Sequence, residues 1–215
     1  MLTARTAGFT MIEVLVTLVI LMFGLLGIAG LMAKGQRASF EAFQRQQALA
    51  LANDLAERIR SNRASGASYA AAAGIGASPM VGEGALYATL LPPPSILDCG
   101  DGSSCNTANL AIYDLALWDG LLTGYTEKQA VGNVSVGGII NARGCVEELA
   151  GAVVCPAPPA GINVFSSSMY RVSVAWQGQE ETVAPTASAC GTGLYGTPAR
   201  RRLVFLDVLV YQPCP

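Results

Sequence analysis

Gly8-Phe9-Thr10-Met11-Ile12-Glu13-Val14-Leu15-Val16 opens an apolar run that continues to Ala33. From Val14 to Ala33 no residue is charged. As a helix these residues would be about 30 Å long, the thickness of a bilayer's hydrocarbon core. Glu13 stands at the edge of the run, where an unpaired carboxylate is expensive and is by default a functional clue. The short segment from Met1 to Gly8 precedes it, with Arg5 as its basic side chain. A secretory signal peptide is cut at small residues after its apolar stretch. Here Gly27-Ile28-Ala29 lies inside the run, and the prominent small residue, Gly8, comes before it.

The order Gly8-Phe9-Thr10, then Glu13, then a long apolar helix resembles the leader of type IV prepilins. The resemblance implies that a prepilin peptidase cuts between Gly8 and Phe9 on the cytoplasmic side and methylates the new amine of Phe9. It also implies that Glu13 of one subunit meets the N-terminal amine of its neighbour and helps set filament register. The physics is compatible with that role. A carboxylate in an apolar environment needs a partner, and an ammonium released by cleavage is a natural one. Two readings without assembly stay open: a Glu13 that snorkels to the headgroups, and a plain signal anchor.

Hydrophobic residues make up 52% of the 215 and charged residues only 13%, below the usual quarter. The membrane segment accounts for part of that excess. Ala, Gly and Val in the remainder suggest a weakly charged surface suited to contacts with other subunits. Net charge is −2, and from residue 64 onward six basic side chains face eleven acidic ones. That balance argues against nucleic-acid binding, which needs a basic face. Arg200-Arg201-Arg202 is the one basic cluster, readable as a phosphate contact or as a solvated strand entry.

Six cysteines, Cys99, Cys105, Cys145, Cys155, Cys190 and Cys214, all follow residue 98. Their even number favours disulfides in an oxidising compartment, with fifteen pairings open. The expectation is neighbour pairing: Cys99–Cys105, Cys145–Cys155 and Cys190–Cys214. Zinc is the rival, but the chain has no His and no Cys-x-x-Cys. No cofactor is expected. Without His, Ser-His-Asp and Cys-His catalysis is excluded. Glu147-Glu148 and Glu180-Glu181 are adjacent acids that point apart, and Gly191-Thr192-Gly193 lacks the lysine of a phosphate loop. Asp98, Asp101 and Ser103 lack the ligand count of a calcium loop.

The helix is expected to run from about Phe9 to Asn62. Residues 34–63 hold no Pro and are rich in Ala, Gln, Leu, Arg and Glu. Leu51, Leu55 and Ile59 mark one core face, with Phe40 and Phe43 on a neighbouring face. Gly24, Gly27 and Gly30 read either as close-packing positions or as points of local melting. Residues 67–108 read as irregular connection, from their Ala-Gly tract and Pro92-Pro93-Pro94. Asn109 is a candidate cap for a helix over Leu110 to Leu122, with Ile112, Leu115 and Leu122 inward and Trp118 partly so. Strands are expected over Val131 to Ile140, in a hairpin from Cys145 to Cys155, over Tyr170 to Trp176, and over Leu203 to Tyr211, the last covered on both faces or central.

The expected fold is therefore α+β and pilin-like: a long N-terminal helix, half transmembrane and half packed on an antiparallel sheet, with a disulfide-bearing C-terminal region. Its parts would be a leader at 1–8, a membrane and filament-core helix at 9–33, an amphipathic continuation at 34–62 and a periplasmic globular domain at 63–215. Cys145-Val146-Glu147 and Val174-Ala175-Trp176-Gln177-Gly178 further resemble the PilV family of type IV pilus modification proteins, which are minor pilins. That resemblance implies a low-copy subunit that initiates pilus assembly or sits in a tip or priming complex, and with no catalytic constellation in the sequence no enzyme is expected. Expected partners are other minor pilins, the major pilin, the prepilin peptidase and the inner-membrane assembly platform, with the membrane holding the chain before assembly. The expected location is the inner membrane, N-terminus cytoplasmic and head periplasmic, then the pilus fibre near its tip. The alternatives are a minor pseudopilin of a type II secretion system and a membrane-anchored periplasmic binding module.

Overall fold

A computed structural model of the chain describes residues 8–78, 80–91, 99–100, 105–125, 127–130, 135–150 and 165–213. Helix α1, Met11–Ser61, dominates it. Ala, Leu, Met, Gln, Glu and Arg, the better helix formers, fill much of its length, and no proline interrupts it. It runs unbroken through Gly24, Gly27 and Gly30. Glu13 lies in its first turn and Arg58 and Arg60 in its last, each charge matched to the helix dipole.

The chain divides into two compact units, Met1–Ala42 and Phe43–Pro215, and α1 belongs to both. In the first unit every described residue through Phe40 is exposed. In the second, α1 buries Gln44, Ala48, Ala52, Leu55, Ala56 and Ile59. This face is narrower than the leucine spacing implies: small alanines carry much of it, Leu51 is half-buried, and Phe43 is exposed.

After α1 come a 3-10 turn, Arg63–Ser65, and helix α2, Gly66–Ala73. Helix α3 spans Ala85–Leu90 and helix α4 spans Thr107–Thr123. The alanine tract expected to be irregular is thus partly helical, in line with alanine's propensity. The N-cap of α4 is Asn106, not Asn109: the Asn106 side chain accepts from the Asn109 N–H at 2.7 Å. Trp118 is wholly buried while Ile112 is exposed, reversing their expected order. The Trp118 indole N–H donates to the Leu51 carbonyl at 2.9 Å, giving the ring's polar edge a partner inside α1. Gly124, in the left-handed conformation at φ 65°, ends α4, its N–H returning to the carbonyls of Gly120 and Leu121.

Three antiparallel strands follow: β1, Arg143–Ala150; β2, Phe165–Gln177; and β3, Arg201–Pro213, in the order β1-β2-β3. Tyr170, Val172, Val174 and Trp176 alternate onto one face of β2 as expected. They join Val146, Val204, Val208 and Val210 in one core with α1, α2 and α4. Gly144 on β1 leaves room for the Trp118 ring, since a Cβ there would lie 2.2 Å from it. On the opposite face, Cys145, Ala175, Cys190 and Tyr195, with Leu203 against them, form a second, smaller core.

Two strand expectations change. β3 is an edge strand among the described residues, and Phe205, Leu209 and Tyr211 are exposed. An almost wholly apolar run reads the same whether its second face is covered or open. Of the expected strand at Val131 to Ile140, residues 131–134 lie outside the described set. Ser135 makes a single bridge with Lys128, and residues 136–140 are irregular.

Candidate processing and assembly site

Gly8, Phe9 and Thr10 lie outside the helix, and Phe9 is 83% exposed. Thr10 supplies the first helical acceptor: its carbonyl receives the N–H groups of Glu13 at 3.1 Å and Val14 at 3.3 Å. Its hydroxyl also accepts from the Glu13 N–H, at 3.4 Å. Thr10 is thus the N-cap, and Glu13 stands three residues on, the spacing of a capping box. The sequence signal Thr-x-x-Glu was available but is easily missed beside the more conspicuous glycine and glutamate. Glu13 thus lies in the first turn, at the positive end of the helix dipole. The Thr17 hydroxyl, four residues on, donates to the Val14 carbonyl at 2.9 Å, so this polar group is satisfied within its own helix. From Val14 to Ala33 the exposed side chains carry no charge. Length and composition suffice to cross a bilayer.

The cysteines pair differently from the expectation. Cys99 bonds Cys105, but Cys145 bonds Cys190. Cys145–Cys155 and Cys190–Cys214 are therefore not the pairs; Cys155 and Cys214 lie outside the described residues. The reason is topological: the segment after β2 folds back over the second face of the sheet and places Cys190 beside β1. Three arginines hold that segment. Arg201, buried, donates to the carbonyls of Pro185, Ser188 and Cys190 at 2.6–2.9 Å. Arg202 reaches the Thr182 hydroxyl and the carbonyls of Glu180 and Ala199. Arg171 donates to the Ala187 carbonyl and forms a two-bond pair with Asp207 at 2.8 and 2.9 Å. That hydrogen-bonded pair holds the Asp207 carboxyl below its ordinary range. The basic cluster is thus engaged internally. Arg200 lies 3.8 Å from Glu181, which also accepts from the Thr197 hydroxyl. Glu147 accepts from Ser188, so one acid of each pair, Glu147 and Glu181, acts as a tether. The Asp98, Asp101 and Ser103 set falls outside the described residues.

Two buried polar clusters went unread in the sequence. Asp119, fully buried, accepts from the backbone N–H groups of Gly82, Gly84 and Tyr87 at 2.6, 3.0 and 3.1 Å. It ties the start of α3 to α4. Asp114 accepts from Arg58 at 2.9 Å and from the Tyr69 hydroxyl, binding the end of α1 to α4 and α2. Burial, then the Asp114 bond, pushes the Tyr69 phenol upward. The only hint was two aspartates at positions 114 and 119 of an otherwise apolar helix.

The prokaryotic N-terminal methylation motif matches residues 3–29, and the family described as type IV pilin Tt1218 matches residues 31–116. No curated protein and no solved structure matches the chain. The first match covers Gly8, Phe9, Thr10 and Glu13, and the second covers the rest of α1 through most of α4. With the capped helix, uncharged from Val14 to Ala33, and the α+β head, these matches make the chain a type IV pilin with a prepilin-type N-terminus.

Proposed function

We propose that this pilin is a minor subunit that acts in initiating pilus assembly or in a tip or priming complex. Its role is structural rather than enzymatic. The observation that carries the reading is Glu13, in the first turn of an exposed helix whose next 20 residues hold no charge. In a bilayer such a carboxylate gains most from a cation delivered at the same depth. The ammonium of Phe9 on a neighbouring subunit, released by cleavage after Gly8, is that cation. Residues 1–8 then serve as the leader, 9–33 as the membrane and filament-core helix, 34–62 as its amphipathic continuation and 63–215 as the periplasmic head. The N-terminus faces the cytoplasm, and buried Cys145–Cys190 supports a head that folds in an oxidising compartment. The minor role is supported by the likeness of Cys145-Val146-Glu147 and Val174–Gly178 to PilV proteins. Partners are the other minor pilins, the major pilin, the peptidase and the assembly platform.

The test is Glu13→Ala in cells that make pili. The variant is expected in the inner membrane, processed, and missing from sheared fibres that contain the wild-type chain. Recovery of the variant in fibres at wild-type level would remove the basis of the proposal. Loss of protein secretion with pili and twitching intact would assign the chain to a secretion pseudopilus.

A further inference from the structure

Gly8 and Phe9 make no hydrogen bond among the described residues, and both are exposed. The regular helix begins only at Met11, and its first accepting carbonyl is that of Thr10. The peptide bond between Gly8 and Phe9 is therefore left outside the helical ladder by a margin of two residues. Little in the apolar sequence beyond would hold the helix back. In a low-dielectric surrounding, unpaired N–H and C=O groups are costly, so a helix there tends to lengthen until something stops it. Thr10 stands at that stop: the Glu13 N–H, which would go to the carbonyl of Phe9 in a longer helix, donates instead to the Thr10 carbonyl at 3.1 Å and to its hydroxyl at 3.4 Å. A peptidase needs an extended strand of substrate and an accessible carbonyl. A helix extended by one turn would take up the Gly8 and Phe9 carbonyls as internal acceptors.

We infer that Thr10 is a positioning residue for prepilin processing: by fixing the helix start at Met11 it keeps the Gly8–Phe9 bond extended and open to the peptidase. The inference rests on the proposed cleavage at that bond. Chemically the step is hydrolysis: water adds to the Gly8 carbonyl, the C–N bond breaks, and Phe9 leaves as a free amine. Thr10 does not touch the reacting atoms.

The experiment follows processing of the full-length chain by prepilin peptidase in membranes, reading by mass spectrometry the rate at which chains starting at Phe9 appear. Thr10→Val keeps the shape and removes the cap. It is expected to slow cleavage about fivefold, the population change matching a typical cap energy of ~1 kcal/mol. Thr10→Ser and Thr10→Asn keep a capping oxygen and are expected within about twofold of wild type. In the Thr10→Val background, Met11→Pro should restore the rate, because proline at the first helical position disfavours helix in the residue before it. Thr10→Val cleaved as fast as wild type overturns the inference, and so does an unrescued double variant. Thr10→Asn as slow as Thr10→Val also overturns it, because the peptidase would then be reading the threonine itself. A wild-type chain that is never cut after Gly8 sinks the processing proposal instead, a result distinct from all of these.

Discussion

Replacing both Cys145 and Cys190 by alanine opens a covalent loop that spans 45 residues of sequence. Cross-linking a loop of that size removes conformational entropy from the unfolded chain worth about 4 kcal/mol at 25 °C. A Cys145–Cys155 bridge, closing about ten residues, would be worth only about 2.7 kcal/mol on the same scale. The folded head keeps its shape in the double variant, because the segment around residue 190 stays tethered by Arg201, Arg171 and the Ser188–Glu147 bond. The loss falls on the unfolded side of the balance, against a total stability of roughly 5–15 kcal/mol for a domain. Trp118 and Trp176, both in the core, report guanidinium unfolding of the full chain in detergent by fluorescence. The midpoint should fall by an amount equivalent to about 4 kcal/mol, and the dependence on denaturant should steepen as the unfolded chain expands. A loss under about 1 kcal/mol would refute the reasoning, and a non-reducing peptide map that joins Cys145 to Cys155 would refute the pairing itself.

Asp119→Asn should cost about 2–4 kcal/mol, because an amide can satisfy the Gly82 and Gly84 N–H groups but turns a second donor toward the Tyr87 N–H. Unfolding curves measure it, and hydrogen exchange should rise first in residues 82–90. Burial pushes the Tyr195 phenol up to about 12, against the lowering influence of Arg143 and Arg201. The unfolded tyrosine, at its ordinary value near 10, loses its proton first. The stability this group contributes is therefore complete below about pH 10 and declines as pH rises to about 12, by up to about 1.4 kcal/mol per pH unit. Tyr195→Phe should flatten that part of the alkaline unfolding profile, and an unchanged profile would contradict the burial argument. Tyr69 titrates in the same direction, so the comparison is made between wild type and variant at matched pH.

Much of the fold was legible because its signals are local. The run from Gly8 to Ala33 declares a membrane-length helix within one window of sequence. Tyr170, Val172, Val174 and Trp176 alternate so regularly that the inward face of β2 follows directly. Where the reading strayed, a distant partner decided. Cys145 meets Cys190 only because the chain after β2 doubles back over the sheet, and no spacing between cysteines encodes that return. Leu203 to Tyr211 reads as a doubly covered strand, yet Phe205, Leu209 and Tyr211 stand exposed on β3. Trp118 fills the space that Gly144 leaves across the core, a match between residues 26 apart. At the N-terminus, Gly8, Phe9 and Glu13 were apparent as a pattern, whereas the cap at Thr10 needed the actual start of α1.

Cleavage after Gly8 creates the charge that Glu13 is proposed to meet, so the N-terminus of the chain recovered from piliated cells is the most direct test. Mass spectrometry is expected to find a mature protein beginning at methylated Phe9. A chain still beginning at Met1 in cells that process their other pilins, or one cut near Ala29, would contradict the account.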